Sequence, residues 1–406
     1  MKYILILADG MADWPIEALG NKTPMAVANK PHINAMAAGG ITGLCQTVPP
    51  EYSPGSDVAN LSVLGYPPKE FYKGRSSLEA ISAGVPLECG DITLRANLVA
   101  LSDEENFEDK RLLDYCGGEV TTDDAAKLIA DVQKALDNEI FSVHPSVSFR
   151  NILLWHGGPL DTIFDPAHEI MGERIGDHLP QGSGADAAID YMKKAHEILK
   201  NHPYNQEKVA KGELPANALW LWGPGEKTTL PSFEQRYGLK GGVISGVDLI
   251  RGIGISADMD ILYLSTATGG VDTDFRGKGE LAAAYLKGGG EFIFVHVEAP
   301  DESGHQGKMD KKISAIERID NETIVPILEA CKVMGEDYRM MVMPDHPTPL
   351  AIRTHSRDPI PFVIFDSRYH SLDGSVVHDE ARAKEQGLLF PDGKSLLAKF
   401  FDESYH

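Results

Sequence analysis

Three stretches far apart in the chain each end an apolar run with side chains that bind cations. Asp9 follows residues 3–8, and Asp301 and His305 follow 292–297. Asp345 and His346 follow 339–343, and His355 comes soon after. Carboxylates suit hard divalent ions, and imidazole suits transition metals such as Mn, Fe and Zn. Three carboxylates and three imidazoles are more than one ion needs. Two neighbouring ions would use them, and such pairs clamp the attacking and leaving oxygens of phosphoryl transfer. A lone Asp after a strand is ordinarily a turn or helix cap, and a lone His is ordinarily structural. Their joint occurrence at three strand ends is what points to metal.

A nucleophile should lie near such ions. SPGSDVANLSVLGY (53–66) offers Ser56, just after a Pro-Gly turn, with Val58, Leu61 and Leu64 at helical spacing. A hydroxyl at a helix start faces free N–H groups and the positive end of the dipole, which suits a phosphate carried on it. A plain helix cap is the competing reading of the same serine.

These residues need a scaffold. Short apolar runs at 3–8, 152–155, 219–222, 261–264, 292–297, 339–343 and 362–365 read as strands. Helical patterns at 125–136, 187–200, 279–286 and 311–334 lie between many of them. Strand alternating with helix predicts an α/β fold with a mainly parallel sheet, whose ligands gather at the strands' carboxyl ends. The middle of the chain lacks strand-end ligands and reads as an inserted domain.

The 406 residues allow two domains, and 42% hydrophobic with 24% charged residues is ordinary globular composition. A net charge of −22 argues against nucleic acid or an anionic membrane as a main partner. No apolar stretch reaches the roughly 18 residues of a membrane span. Four scattered cysteines without a C-x-x-C pattern read as reduced thiols. A cytoplasmic protein is the expectation; the sequence is silent on oligomeric state.

Together ILILADGMADWP, NKTPMAVANKPHI, GSDVANLSVLGY, YKGRSSLEA, VEAPDESGH, PDHPTP and RTHS resemble the cofactor-independent phosphoglycerate mutases of the alkaline phosphatase superfamily, closest to the archaeal-type branch. The resemblance implies an alkaline-phosphatase-like three-layer metal domain from residues 1–72 and 238–406. It also implies a smaller inserted α/β (α+β) domain at 75–236. One ion would be held by Asp301, His305 and His355, and the other by Asp9, Ser56, Asp345 and His346. Ser56 would accept the phosphoryl group and return it to another hydroxyl of the same glycerate, with no bisphosphoglycerate needed. The usual ions are Mn or Mg, and Zn and Co also occur.

For gripping a small phosphorylated substrate, the candidates are Arg95, Asn97, Arg150, His168, Lys240 and Arg276, with Lys278 beside the last. Arg suits a bidentate grip on carboxylate or phosphate; each is equally at home as a surface charge. A proposed homoserine kinase subgroup shares the DGMADWP opening and is the alternative reading. A phosphatase, or a metal-binding protein without turnover, ranks below both. GLLFPDGKS has one residue too many between its glycines for a P-loop.

Overall fold

KYILILA is apolar without alternation, as suits a strand covered on both faces. In the computed structural model, which describes residues 1–402 and 404, it forms β1 (Lys2–Ala8) and is buried along its whole length. The other strands follow in chain order: β2 (Ile41–Cys45), β3 (Asp91–Leu101), β4 (Leu112–Asp114), β5 (Phe141–His144), β6 (Arg150–His156) and β7 (Ala218–Glu226). Then come β8 (Gly241–Ile244), β9 (Asp260–Ile261), β10 (Phe292–Val297), β11 (Tyr338–Met343), β12 (Ile360–Asp366) and β13 (Leu389–Phe390).

The chain divides into two units, Met1–Tyr72 with Thr229–His406, and Lys73–Thr228. The first is built on one sheet in the order β13-β2-β12-β11-β1-β10-β8-β9. Its centre, β11-β1-β10-β8, is parallel, and β12 runs antiparallel to both β11 and β2. Ile4, Ile6 and Ala8 pack on one face against residues of helices Pro31–Gly39, Phe275–Lys287 and Val325–Met334. On the other face Tyr3 meets Phe400 and Phe401, and Phe292 stacks on Phe233 at 4.7 Å. The result is helix, sheet, helix: an α/β fold in three layers.

Three expectations need correction. The strand expected at 261–264 stops at Ile261, because Tyr263 is already 71% exposed. The helix expected over 311–334 runs as Met309–Arg318, a π segment Ile319–Ile324, and Val325–Met334. Pro326 has no N–H and its ring crowds the preceding turn, and a widened turn accommodates both. Finally, the inserted unit spans 73–228 rather than 75–236. Helix Phe233–Tyr237 belongs with the first unit, where Phe233 fills the aromatic cluster.

In the inserted unit β3 is the spine. It pairs with β4, β6 and β7, and β6 pairs with β5, all antiparallel. Helices Thr122–Leu136 and Ala185–Lys200 cover one side, and helix Arg75–Ser82 covers Ile152 and Leu154. Among the described residues no helix is long and apolar enough to cross a membrane.

One buried charge has a measurable consequence. Lys30 is fully buried, and its Nζ has no hydrogen-bond partner among the described residues. Burial pulls its ammonium down from 10.5 to about 8, against the opposite pull of Asp379, Glu380 and Asp320. The folded value lies below the unfolded one, so the charge costs stability below about pH 8, and the cost fades as pH rises toward 10.5. Lys30→Met is expected to stabilise the fold by about 2–3 kcal/mol at neutral pH, with a smaller gain near pH 10. Urea unfolding at both pH values checks this; a variant less stable than the parent at neutral pH overturns it.

Candidate metal centre and active site

Asp9, Asp301 and Asp345 stand just beyond the carboxyl ends of β1, β10 and β11, three neighbouring parallel strands. The register sets Ala8 beside Val297 and Leu7 beside Met343, so the turns that follow converge. Gly10 makes the convergence possible. Its φ is +61°, and a Cβ there would lie 2.5 Å from Thr348 Oγ1 and 2.7 Å from Asp301 Cα. Only glycine fits both the left-handed backbone and the space.

Helix Ala299–His305 carries Asp301 and His305 one turn apart, on the same face. His305 Nε2 lies 3.2 Å from Asp301 Oδ2, and His355 Nε2 lies 3.4 Å from Asp301 Oδ1. His346 Nε2 lies 3.3 Å from Asp345 Oδ2, 3.7 Å from Asp9 Oδ1 and 3.1 Å from Ser56 Oγ. The structure thus brings Asp9, Ser56, Asp301, His305, Asp345, His346 and His355 together. Two donor sets close to within 4.8 Å: Asp301–His346–His355 and Asp9–Asp345–His346. Ser56 is the first residue of helix Ser56–Val63, and Gly55 takes the cap position. Its hydroxyl therefore does not cap the helix; it meets His346.

The hydrogen bonds around these side chains fix their tautomers. His305 Nδ1 is 2.9 Å from Arg353 O, and His355 Nδ1 is 3.2 Å from Pro54 O. A carbonyl only accepts, so both Nδ1 atoms carry a proton, and in the neutral rings both Nε2 atoms present lone pairs. Those two Nε2 atoms are 3.0 Å apart with a carboxylate beside them. Such an arrangement repels itself unless a cation or a shared proton sits within it. Thr348 Oγ1 donates to Asp301 and lies 3.4 Å from His346 Nδ1, leaving His346 Nε2 facing Asp9 and Asp345. Asp9 Oδ1 is buried and has no hydrogen-bond partner among the described residues. This donor set fits divalent cations.

Electrostatics give the same picture. Burial raises Asp9 well above the usual carboxylate range, with Asp345 and Asp301 adding to it. Burial would raise Asp301 too, but His305 and His355 outweigh it and hold Asp301 well below. Asp301 in turn lifts His305 to about 9. Supporting groups complete the cradle. Asn60 Nδ2 donates to Asp345 Oδ2 at 2.9 Å and to Ser56 O at 2.8 Å. Lys312, wholly buried, donates to Asp13 Oδ2 at 2.7 Å and to Thr348 O at 2.8 Å.

The other candidates separate. In the inserted unit Arg95 and Asn97 lie two apart on β3, hence on one face, and Arg150 on β6 is directly opposite Asn97. Arg95 lies over the Trp222 ring at 4.3 Å and pairs with Glu79 at 3.0 Å. Trp222 Nε1 donates to Asn97 Oδ1 at 3.2 Å, and the His168 ring is 5.3 Å from that of Trp222. Four candidates thus share one neighbourhood, together with Arg75, Glu79 and Trp222, which the sequence reading passed over. Lys240 does not reach the metal centre. It precedes β8, at the opposite end of the sheet from the carboxylates, and pairs with Asp260 at 3.5 Å. Arg276 is exposed and pairs with Glu280 along its helix. Its neighbour Lys278 is buried, with Nζ donating to His296 O at 3.1 Å.

A cluster of carboxylates and imidazoles at parallel strand ends, with a serine at a helix start, is the equipment of metal-assisted phosphoryl-transfer enzymes. Comparison with known proteins narrows this. The family profile described as 2,3-bisphosphoglycerate-independent phosphoglycerate mutase matches residues 37–205. A Geobacter sulfurreducens protein named probable 2,3-bisphosphoglycerate-independent phosphoglycerate mutase is 42% identical over 402 residues, 99% of this chain and 100% of the relative. The Methanothrix thermoacetophila mutase is 42% identical, covering 98% of each chain. Among solved structures, a Pyrococcus horikoshii protein superposes with TM-score 0.81 at 26% identity, over 98% of this chain and 97% of that one. The cofactor-independent mutase of Thermoplasma acidophilum gives 0.62 at 26%, over 96% of each. The chain belongs to the 2,3-bisphosphoglycerate-independent phosphoglycerate mutase family, a family of isomerases.

Proposed function

We infer that this protein interconverts 3- and 2-phosphoglycerate through a phosphoserine at Ser56, without bisphosphoglycerate. The observation that carries it is the Ser56 hydroxyl set against His346 inside a seven-residue donor cluster, in a chain whose relatives are named for that reaction. Asp301, His305 and His355 would hold one divalent ion and Asp9, Ser56, Asp345 and His346 a second, Mn or Mg, which would neutralise the phosphoryl charge and favour the serine alkoxide.

The chain's own residues do the rest. Ser56 Oγ gives up its proton and bonds to phosphorus as the substrate's ester C–O–P linkage opens on the phosphorus side, and the freed glycerate oxygen takes a proton. In the second half the other hydroxyl gives up a proton and takes the phosphoryl group from Ser56, whose oxygen recovers a proton, so atoms and charge balance over the cycle. The first turn of helix Ser56–Val63 offers N–H groups and a positive dipole end to the phosphoserine. Asn60, holding both Asp345 and Ser56 O, keeps the nucleophile in register. Within the inserted unit, Arg95 and Arg150 would be the groups to grip a carboxylate or phosphate.

Arg95→Lys loses both the fork and the stack on Trp222. It is expected to raise KM about tenfold or more with a smaller change in kcat; an unchanged KM removes Arg95 from recognition. The deciding assay supplies Mn-loaded protein with 3-phosphoglycerate and no bisphosphoglycerate, with homoserine plus ATP in a parallel arm. Isomerisation without phosphate release supports the mutase. Homoserine phosphorylation with little isomerisation overturns it.

A further inference from the structure

Asp9, His296 and Ser245 sit at or just past the carboxyl ends of β1, β10 and β8, three strands side by side in the sheet. They form one row of hydrogen bonds. His296 Nε2 is 2.9 Å from Asp9 Oδ2, His296 Nδ1 is 3.1 Å from Ser245 Oγ, and the Val247 N–H donates to Ser245 Oγ at 3.0 Å. With Asp9 ionised, as a cation ligand must be, the directions follow. An ionised Asp9 only accepts, so His296 Nε2 must carry the proton. Nδ1 is then a lone pair, and Ser245 Oγ donates its single hydrogen to it while accepting from Val247. Lys278 Nζ holds His296 O at 3.1 Å, so the backbone of the same residue is pinned as well. All three side chains in the row are 4% exposed or less.

The row ends on a carboxylate with two unlike oxygens. Oδ2 is taken by His296, whereas Oδ1 has no hydrogen-bond partner among the described residues and faces His346. We propose that His296 is a positioning residue that engages Asp9 Oδ2 and so presents Oδ1 alone, in one orientation, to the cation. This rests on the metal reading of the preceding section. A carboxylate left to rotate would offer either oxygen and would lose its order each time the ion left. Groups standing behind metal ligands in this way are worth about 10- to 100-fold in affinity.

The test uses the metal-stripped full chain and titrates Mn2+ by calorimetry. His296→Phe keeps the ring and removes the donor, and His296→Gln restores an N–H near the Nε2 position. The expected result is that the Phe variant binds one of the two ions about 10- to 100-fold more weakly, while the Gln variant stays within a few-fold of the parent. Equal affinity in all three proteins overturns the proposal, and so does equal loss in both variants, which would mark a packing role. Parent protein that takes up no Mn2+ overturns the metal reading itself, and the proposal with it. A second measurement needs no variant: imidazole 15N shifts of Mg2+-loaded parent protein. Protonation of His296 at Nε2 alone is expected; protonation at Nδ1 overturns the row of bonds described here.

Discussion

Ser56→Ala is expected to lower turnover by roughly 10⁴-fold or more while the protein keeps both cations, one of them more weakly bound. The substitution removes one oxygen and little volume. The helix does not unravel, because Gly55 and not Ser56 occupies its cap position. Asn60 keeps its bond to the backbone carbonyl at position 56 and to Asp345. On the proposed route the loss is therefore chemical: no atom would remain to carry the phosphoryl group between the two glycerate oxygens. Single-turnover mixing with labelled phosphoglycerate, followed by acid quench and mass spectrometry, should find label on Ser56 in the parent and none on the variant. Normal turnover in the alanine variant would dispose of the covalent route.

Asp301→Asn is expected to strip one ion, weakening its binding by about 100-fold or more, since on the proposed assignment the change removes a direct ligand and not merely its support. It also carries a pH signature in metal-free protein. Asp301 lifts His305 from 6.5 to about 9. A raised folded value means that the pair's contribution to stability is full below pH 6.5 and is lost as pH rises through about 9. Metal-free parent protein should therefore lose stability across that window, and the Asn variant should show no such loss from this pair. Elemental analysis after dialysis reads the first effect, and thermal melts from pH 6 to pH 9.5 read the second. Full metal content in the variant would remove Asp301 from the ligand set.

Much of the carboxylate and imidazole cluster was legible because its signal is local. A carboxylate or imidazole just after an apolar run is visible along the chain, and parallel strands bring such run ends together. His296 went unread for the opposite reason: it lies inside the apolar run itself, where burial pattern dominates the reading. Asn60 reaches Asp345 and Thr348 reaches Asp301 by hydrogen bonds across long separations in the chain, which no spacing encodes. Lys240 precedes its strand and so sits at the wrong end of the sheet, a distinction that needs the strand's direction relative to its neighbours. The grouping of Arg95, Asn97, Arg150 and His168 depends on antiparallel register, and Trp222, the ring that joins Arg95 to Asn97, carries no charge to draw attention. The break near Pro326 left no trace in the helical periodicity, because a π turn slips the apolar stripe without ending it.

The strand register also imposes an order of assembly. β1 finds its partners only in β10 and β11, some three hundred residues later. The strands of the inserted unit have all their partners between residues 91 and 226. On a ribosome adding about 5–20 residues per second, the inserted unit can close its sheet while Asp9 and Ser56 are still waiting for theirs. The Ser56 hydroxyl and the Asp301 and Asp345 carboxylates are then kept apart until the last third of the chain emerges. A nascent or truncated chain would carry a finished inserted unit and no reaction centre at all.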